Sequence, residues 1–334
     1  MLRVRFRSFF FLYSVCLPMF AYAAAELPTT AAFAKPHQRV DIGGRKINLY
    51  CSGQGATTVI FDSPAGDGGW SWFKVQPEVA KHSRACIYDR AGFGFSDPSQ
   101  RPNTSENAVE DLHKALLVAD IKPPYLLVGN SLGGSNVQVF TYRYPHEVKG
   151  LVLVEPQSED ETTRTNKASQ GLINKIYAMV KDHDQQCLAA ANKGIKPGSD
   201  AAARCIGEPS EYFGPELGKQ VKANMLTKSY WTTRVDEANA YETSDNQLRA
   251  LRKPFGSLPL IVLTRGVSPY MDPSKPQSAV NKAMEDENEK IHREIAALST
   301  KGKQRVVPGA SHGIQGDQPV AVIEAIVEVL GQAK

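Results

Sequence analysis

The chain has 334 residues, of which 42% are hydrophobic and 22% are charged. This composition supplies enough apolar material for one large core or two smaller ones, and it excludes a disordered or fibrous protein. The formal net charge is +4, and three arginines fall within the first seven residues, so the remainder of the chain is nearly neutral. A nearly neutral chain lacks the basic footprint of a nucleic-acid-binding protein.

The beginning of the chain has the pattern of a secretory signal peptide. Three arginines precede a short apolar run at 9–20, and small residues follow at 21–25. This order predicts a signal peptide over residues 1–23, with cleavage after Ala23 or Ala25. The apolar run is too short to span a membrane comfortably. We therefore expect an exported protein, periplasmic or secreted, with no membrane contact after cleavage.

Four of the five cysteines lie beyond the predicted signal peptide, an even number in a compartment that permits disulfides. Cys187 and Cys205 would close a short loop within one segment, whereas Cys51 and Cys86 lie in two strand-like runs. We expect two disulfides, Cys187–Cys205 and Cys51–Cys86. For the second pair, the alternative of two small buried apolar residues stays open.

Short β-branched runs alternate with longer amphipathic stretches, which is typical of an α/β fold with a mostly parallel sheet. An opening hairpin is expected over 39–51, because the Gly-Gly pair at 43–44 supplies the positive φ of a tight turn. The next predicted elements are strand 57–62, helix 70–82, strand 84–89, helix 105–119, strand 125–129, helix 132–144, strand 151–155, strand 260–264, strand 305–308 and helix 320–330. Ser105 is expected to be the N-cap of its helix.

The most informative motif lies between the strand at 125–129 and the helix that follows it. Residues 129–133 read Gly-Asn-Ser-Leu-Gly and match G-x-S-x-G, at the strand-to-helix junction that this motif requires. A sharp turn there lifts the hydroxyl of Ser131 above the sheet, and the flanking glycines leave room for the strained backbone. The N–H of Leu132 then lies at the start of a helix, where an oxyanion is favoured. The pattern predicts Ser131 as a nucleophile and Leu132 as an oxyanion-hole donor.

With this motif, the sequence resembles the α/β-hydrolase family over nearly all of the chain after the signal peptide. Residues 88–97, Tyr-Asp-Arg-Ala-Gly-Phe-Gly-Phe-Ser-Asp, resemble the turn that shapes the site after the fourth strand of the family. The segment 63–66, Ser-Pro-Ala-Gly, stands where relatives often have His-Gly-x. The resemblance implies that the N–H of Ala65 is the second oxyanion donor. The departure from the family pattern is that His-Gly is absent and Pro64 has no N–H.

The resemblance also implies a base and an acid, in the chain order serine, acid, histidine. His312 stands in a short loop between the last predicted strand and the closing helix, where the family keeps its catalytic histidine. Two carboxylates are candidates for the acid that holds the histidine tautomer. Glu155 ends the strand at 151–155, a placement known in some relatives, and Asp272 lies later than usual after the strand at 260–264. Glu155 is preferred, and Asp272 stays open as the alternative.

A helical, Lys- and Ala-rich segment interrupts the alternation, and in the family an insertion at this point forms a cap over the nucleophile. The expected organisation is a signal peptide at 1–23, a first part of the α/β-hydrolase core at 36–157, a helical cap at 158–253 and a second part of the core at 254–334. The sequence specifies neither the substrate nor the oligomeric state.

The expected function is an exported serine hydrolase that cleaves a carboxylic ester, or a related acyl bond, of a small molecule through an acyl-enzyme. The sequence has no metal-binding spacing and no phosphate-binding loop, so no metal and no cofactor are expected. Two alternatives stay open: a serine peptidase or amidase that releases an N-terminal residue, and a non-catalytic ligand-binding protein on a hydrolase fold. Acidic residues in the cap would favour the peptidase, because they could bind an amine.

Overall fold

The computed structural model describes residues 30–271 and 274–332. The predicted signal peptide at 1–23 and the alternative acid Asp272 lie outside these described residues. Within them, eight strands form one sheet. They are β1 (Gln38–Asp41), β2 (Lys46–Ser52), β3 (Thr58–Asp62), β4 (Arg84–Tyr88), β5 (Tyr125–Ser131), β6 (Val148–Pro156), β7 (Leu260–Arg265) and β8 (Gly302–Val307).

The sheet is mostly parallel, as the alternation of elements predicts. Its strand order is β1-β2-β4-β3-β5-β6-β7-β8. Strand β2 pairs antiparallel with both β1 and β4, and all the other pairs are parallel. Strand β5 lies in the middle of the sheet, between β3 and β6. The carboxyl ends of the parallel strands therefore meet at one edge of the sheet, around the end of β5.

Helices connect the strands and cover both faces of the sheet. The helices are α1 (Gln76–Val79), α2 (Ser105–Val118), α3 (Leu132–Arg143), α4 (Glu161–Ala168), α5 (Leu172–Asn192), α6 (Asp200–Cys205), α7 (Ser210–Phe213), α8 (Pro215–Met225), α9 (Lys228–Asn239), α10 (Tyr241–Leu251), α11 (Ala279–Ala296), α12 (Ile314–Asp317) and α13 (Pro319–Gln332). Short 3-10 helices precede them at Thr30–Ala34 and Gly69–Trp72. No helix of the described chain is long and apolar enough to cross a membrane.

The interior consists of three apolar clusters. One lies between the sheet and helices α2, α3 and α11, with Leu112, Phe140 and Ile295 fully buried. A second lies on the opposite face, where the apolar side of α13 packs. The third belongs to the helical segment between β6 and β7 and surrounds Trp231. Helices α4 to α10 thus form an insertion with apolar packing of its own, whereas the exact cap boundaries at 158 and 253 stay a prediction.

Two local expectations were wrong. The helix expected over 70–82 is a 3-10 turn followed by the short helix α1. Pro77 lies in the first turn of α1. A proline has no N–H to donate to the carbonyl of the residue four positions earlier, here Phe73, and its ring clashes with that carbonyl, so one helix does not run through this point. Helix α2 is capped by Thr104, whose side chain accepts a hydrogen bond from the N–H of Asn107, whereas Ser105 is its first helical residue.

Both expected disulfides are present in the structure. Cys51 and Cys86 face each other across the antiparallel pair of β2 and β4. Cys187 on α5 is joined to Cys205 at the end of α6, within the apolar cluster of the insertion. The first bridge links two strands of the sheet, and the second links two helices of the insertion.

Helix α3 approaches the sheet so closely that Gly133 cannot carry a side chain without a shift of backbone. A Cβ at residue 133 would lie 2.4 Å from the carbonyl oxygen of Asp62. We predict that Gly133→Ala lowers the free energy of unfolding by about 1–3 kcal/mol, as measured by urea denaturation. Gly331→Ala is the matched control, because Gly331 is also helical and a Cβ there meets nothing within 4 Å. An unchanged stability in Gly133→Ala would contradict the packing.

Candidate active site

The turn between β5 and α3 forces an unusual backbone conformation on Ser131. Its φ is 54° and its ψ is −121°, a region that residues other than glycine rarely adopt. The neighbouring glycines permit this turn, since a Cβ at Gly129 would lie 2.2 Å from the carbonyl oxygen of Gly133. Ser131 is partly exposed, while the strand before it is buried. Leu132 is the first residue of α3, so its N–H has no partner within the helix.

The loop at 309–313 places His312 next to the Ser131 turn. Asn130, the residue before Ser131, donates a hydrogen bond of 3.3 Å to the carbonyl oxygen of His312. The same amide donates to the carbonyl oxygen of Val154, and its oxygen accepts from Gln315. One buried side chain therefore connects β5, β6 and the histidine loop.

Glu155 lies near the end of β6, at a positive φ of 45°, and its side chain is buried. Its carboxylate accepts hydrogen bonds from the backbone N–H of Arg265 at 2.6 Å, from the Arg265 guanidinium, and from the Asn288 amide at 2.9 Å. Burial alone would raise the pKa of Glu155, but Arg265, His292 and His312 hold it below its ordinary value. The carboxylate is therefore ionised at neutral pH.

The imidazole of His312 interacts with Glu155 through charge. Burial lowers the pKa of His312 below its ordinary value, the Glu155 carboxylate opposes that effect, and Arg265 adds to it. His312 is thus neutral at neutral pH, as a general base must be. Within the described residues, no hydrogen bond joins the ring to Ser131 or to Glu155. Such bonds are often long in a free enzyme and tighten in the complex with the substrate.

Ala65 lies in the loop that follows β3, residues 63–67. Arg90, just after β4, donates hydrogen bonds to the carbonyl oxygens of Ser63 and Pro64, at 2.5 and 2.7 Å. The Arg90 guanidinium also binds the carboxylates of Asp62, at 2.7 Å, and Glu237 on α9, at 2.9 Å. Burial would lower the pKa of Arg90, but these two carboxylates hold it above its ordinary value.

The helical insertion brings an acidic side chain close to Glu155, the candidate acid. Glu161, at the start of α4, interacts through charge with Arg265 and Glu155. Burial raises its pKa to about 7. Tyr177 of α5 interacts with Glu161. The neighbourhood of the candidate acid is thus lined by polar groups that the insertion supplies.

Four residues that hold the candidate site are not indicated by the sequence motifs. Asn130 is the variable position of its motif, and the resemblance of residues 88–97 indicates for Arg90 only a turn that shapes the site. Arg265 and Glu237 reach the site from β7 and α9, far along the chain. The signal that could have found Arg90 and Arg265 is a lone arginine directly after a buried strand or at its end, since a buried arginine requires a carboxylate partner.

One group of side chains in the described chain has metal-ligand spacing, but it does not offer a metal site. The group consists of His183, Cys187 and Cys205. The two cysteines are joined in a disulfide, and a metal ligand must be a free thiolate.

Comparisons with known proteins agree with this architecture. A family model described as "alpha/beta hydrolase fold" matches residues 57–186. The uncharacterized protein YbdG of Bacillus subtilis is 29% identical over 144 residues, which cover 42% of this chain and 44% of YbdG. The 2-hydroxy-6-oxo-2,4-heptadienoate hydrolase of Pseudomonas putida is 37% identical over 117 residues, which cover 34% of this chain and 41% of the relative. The alignments thus span less than half the length of these two relatives.

A solved structure extends the likeness of the fold to almost the whole chain. The thermophilic esterase of Thermogutta terrifontis superimposes with a TM-score of 0.58 at 18% identity, covering 90% of this chain and 99% of the esterase. The strand order, the strained serine turn and these matches together show that the chain has the α/β-hydrolase fold, and they support the α/β-hydrolase family.

The buried pair of Glu155 and Arg265 yields a test of stability. Removing one partner of such a pair leaves an uncompensated charge in the interior, at a cost of about 3–5 kcal/mol. We predict this loss in the free energy of unfolding for Arg265→Met, measured by urea denaturation, and partial recovery in the double variant Arg265→Met/Glu155→Gln.

The control for this experiment is Arg305→Met, which breaks the exposed pair with Glu328. Exposed pairs contribute about 0–1 kcal/mol, so Arg305→Met should change stability little. Equal losses in Arg265→Met and Arg305→Met would contradict the buried role of Arg265.

Proposed function

We propose that the protein is an exported serine hydrolase that cleaves a carboxylic ester of a small molecule through an acyl-enzyme. The observation that carries the proposal is the conformation of Ser131, which stands at a left-handed φ directly before a helix whose first N–H has no partner within the helix. Strain of this kind persists where the surrounding structure requires it, and it is common at catalytic residues. Export is supported by the two disulfides, which are rare in reducing compartments.

In the proposed reaction, the Ser131 hydroxyl oxygen attacks the carbonyl carbon of the ester while His312 takes the hydroxyl proton. The carbonyl oxygen becomes an oxyanion, which the N–H groups of Ala65 and Leu132 stabilise. The tetrahedral intermediate collapses, the alcohol leaves with the proton from His312, and an acyl group stays on Ser131. Water, deprotonated by His312, then releases the carboxylic acid. Glu155 orients the imidazole and stabilises its protonated form.

Experiments can distinguish the alternative acid and the alternative functions from those proposed. Asp272 is the other candidate for the acid. Amide bonds are cleaved by the same chemistry, and the acidic Glu161 of the insertion favours substrates that carry an amine. Kinetics on matched esters and amides, with and without a free amine, separate the esterase from the peptidase. A protein that binds these compounds without turnover would be a receptor on a hydrolase fold.

We predict that substitutions in the proposed triad abolish turnover of an activated ester. Ser131→Ala should lower kcat by about 10⁶-fold, and Glu155→Gln by about 10⁴-fold, because the neutral amide no longer stabilises the imidazolium. Asp272→Asn is the matched control and should stay within about threefold of the unmodified protein. If Asp272→Asn loses activity and Glu155→Gln keeps it, Asp272 is the acid.

The lowered pKa of His312 predicts the acid limb of the activity profile. The base is the neutral imidazole, and a lowered pKa keeps the imidazole neutral to lower pH. The ratio kcat/KM should therefore fall only as the pH drops below the ordinary histidine value of about 6.5. The measurement is kcat/KM against pH for an ester that does not ionise in this range. A midpoint above pH 7 would contradict the buried environment of His312.

A further inference from the structure

A buried carboxylate of helix α9, in the insertion, binds the 63–67 loop. One oxygen of Glu237 accepts the N–H of Gly66 at 2.7 Å. The other oxygen accepts the Nε–H of Arg90 at 2.9 Å. The Glu237 residue is 2% exposed. Both carboxylate oxygens therefore accept hydrogen bonds from the core and are shielded from solvent.

The loop itself is fixed on two sides. Arg90 holds the carbonyl oxygens of Ser63 and Pro64, and Glu237 holds the N–H of Gly66. The guanidinium of Arg234, one turn before Glu237 on α9, packs against the same glycine, since a Cβ at Gly66 would lie 2.0 Å from its Nη1. Two side chains of helix α9, Arg234 and Glu237, therefore pack against this loop.

These contacts determine the direction of the Ala65 N–H. The peptide bond between Pro64 and Ala65 is trans, and in a planar trans peptide the C=O and the N–H point in opposite directions. Because the Pro64 carbonyl points at Arg90, the Ala65 N–H points away from it. Pro64 has no N–H, and the N–H groups of Gly66 and Asp67 are hydrogen-bonded. Among the described residues of this loop after Ser63, only Ala65 has an N–H free for a ligand.

We propose that Glu237 is a positioning residue for the oxyanion hole: the insertion uses its carboxylate to hold the 63–67 loop so that the Ala65 N–H faces the substrate carbonyl. This inference rests on the proposed function. It assigns the insertion a part in the chemical step, in addition to covering the site. An insertion displaced from the core would release Gly66 and Arg90 together and leave the oxyanion with one donor fewer.

The substitution Glu237→Gln removes this support without removing volume. Gly66 and Arg90 donate to different carboxylate oxygens, so in the same geometry glutamine accepts from only one of them, and its NH₂ group faces the other N–H donor. The charges of Asp62, Arg90 and Glu237 sum to −1, so the variant leaves a neutral buried pair of Asp62 and Arg90. We therefore expect the variant to fold.

We predict that Glu237→Gln lowers kcat for a small activated ester by about 10²-fold with KM changed by less than about threefold, since a displaced group at the reacting centre costs about this much. A boronic acid, which forms a tetrahedral adduct with an activated serine, should lose affinity by the same factor. A substrate-like ester analogue that cannot react should bind as before. Equal losses in kcat and in boronate affinity are the signature of an oxyanion hole, which a purely structural contact would not produce.

The matched control is Glu159→Gln. Glu159 is also a buried carboxylate, and its Oε1 lies 2.6 Å from Nε of Arg252, but neither residue contacts the 63–67 loop. This variant should keep kcat and boronate affinity within about threefold. If Glu237→Gln does not unfold cooperatively, Glu237→Asp provides the test, because it keeps the charge beside Arg90 but is too short to reach Gly66 as well.

The outcomes separate the inference from the proposed function. A folded Glu237→Gln variant with kcat and boronate affinity within threefold of the unmodified protein would overturn the role of Glu237 while leaving the serine mechanism in place. A loss confined to KM would also overturn it, because it would make Glu237 a substrate-binding group. Failure of the unmodified protein to bind the boronic acid, or activity that survives in Ser131→Ala, would instead refute the proposed function.

Discussion

The close approach of helix α3 to the sheet is the constraint on which the candidate site depends. Ser131 keeps a left-handed φ only because β5 and α3 are both locked by packing, and this packing requires glycine at residues 129 and 133. The same approach aims the start of α3, with its free N–H at Leu132, at the space beside the serine hydroxyl. The nucleophile and one oxyanion donor are therefore products of one turn, and neither can move without the other.

Two buried guanidinium groups hold the remaining parts of the site, and each is shared by two carboxylates. The two clusters are Asp62–Arg90–Glu237 and Glu155–Arg265–Glu285. A buried cluster of this kind contributes little net stability compared with apolar packing, because the desolvation of its charges offsets their attraction. Its value here is geometric: the first cluster fixes the 63–67 loop and the second fixes the candidate acid. Each cluster also joins segments that are distant in the sequence.

Local patterns in the sequence predicted the sheet, the serine turn and the two disulfides. The central strands β3 to β7 are mostly buried apolar runs, and the glycines of the motif at 129–133 indicate the sharp turn at the serine. The prediction of one helix over 70–82 was wrong because Pro77 has no N–H to donate to the carbonyl of Phe73, a local effect that periodicity does not register. The N-cap of α2 is Thr104, one residue before the predicted Ser105.

The charged contacts could not be predicted, for a different reason. Arg90 and Glu237 are 147 residues apart, and Arg265 and Glu155 are 110 residues apart. No periodicity or spacing connects residues across such distances. Only the fold shows which carboxylate each buried arginine meets. The choice between Glu155 and Asp272 depends on the activity of their variants, because Asp272 lies outside the described residues.

The central claim is that Ser131 is an activated nucleophile, and intact-mass measurement after reaction with a fluorophosphonate tests it most directly. We expect a single adduct on the native protein and no adduct on a folded Ser131→Ala variant. The mass before reaction also gives the first residue of the exported chain and the number of disulfides. A well-folded native protein that forms no adduct, or an adduct that persists in Ser131→Ala, would contradict the account.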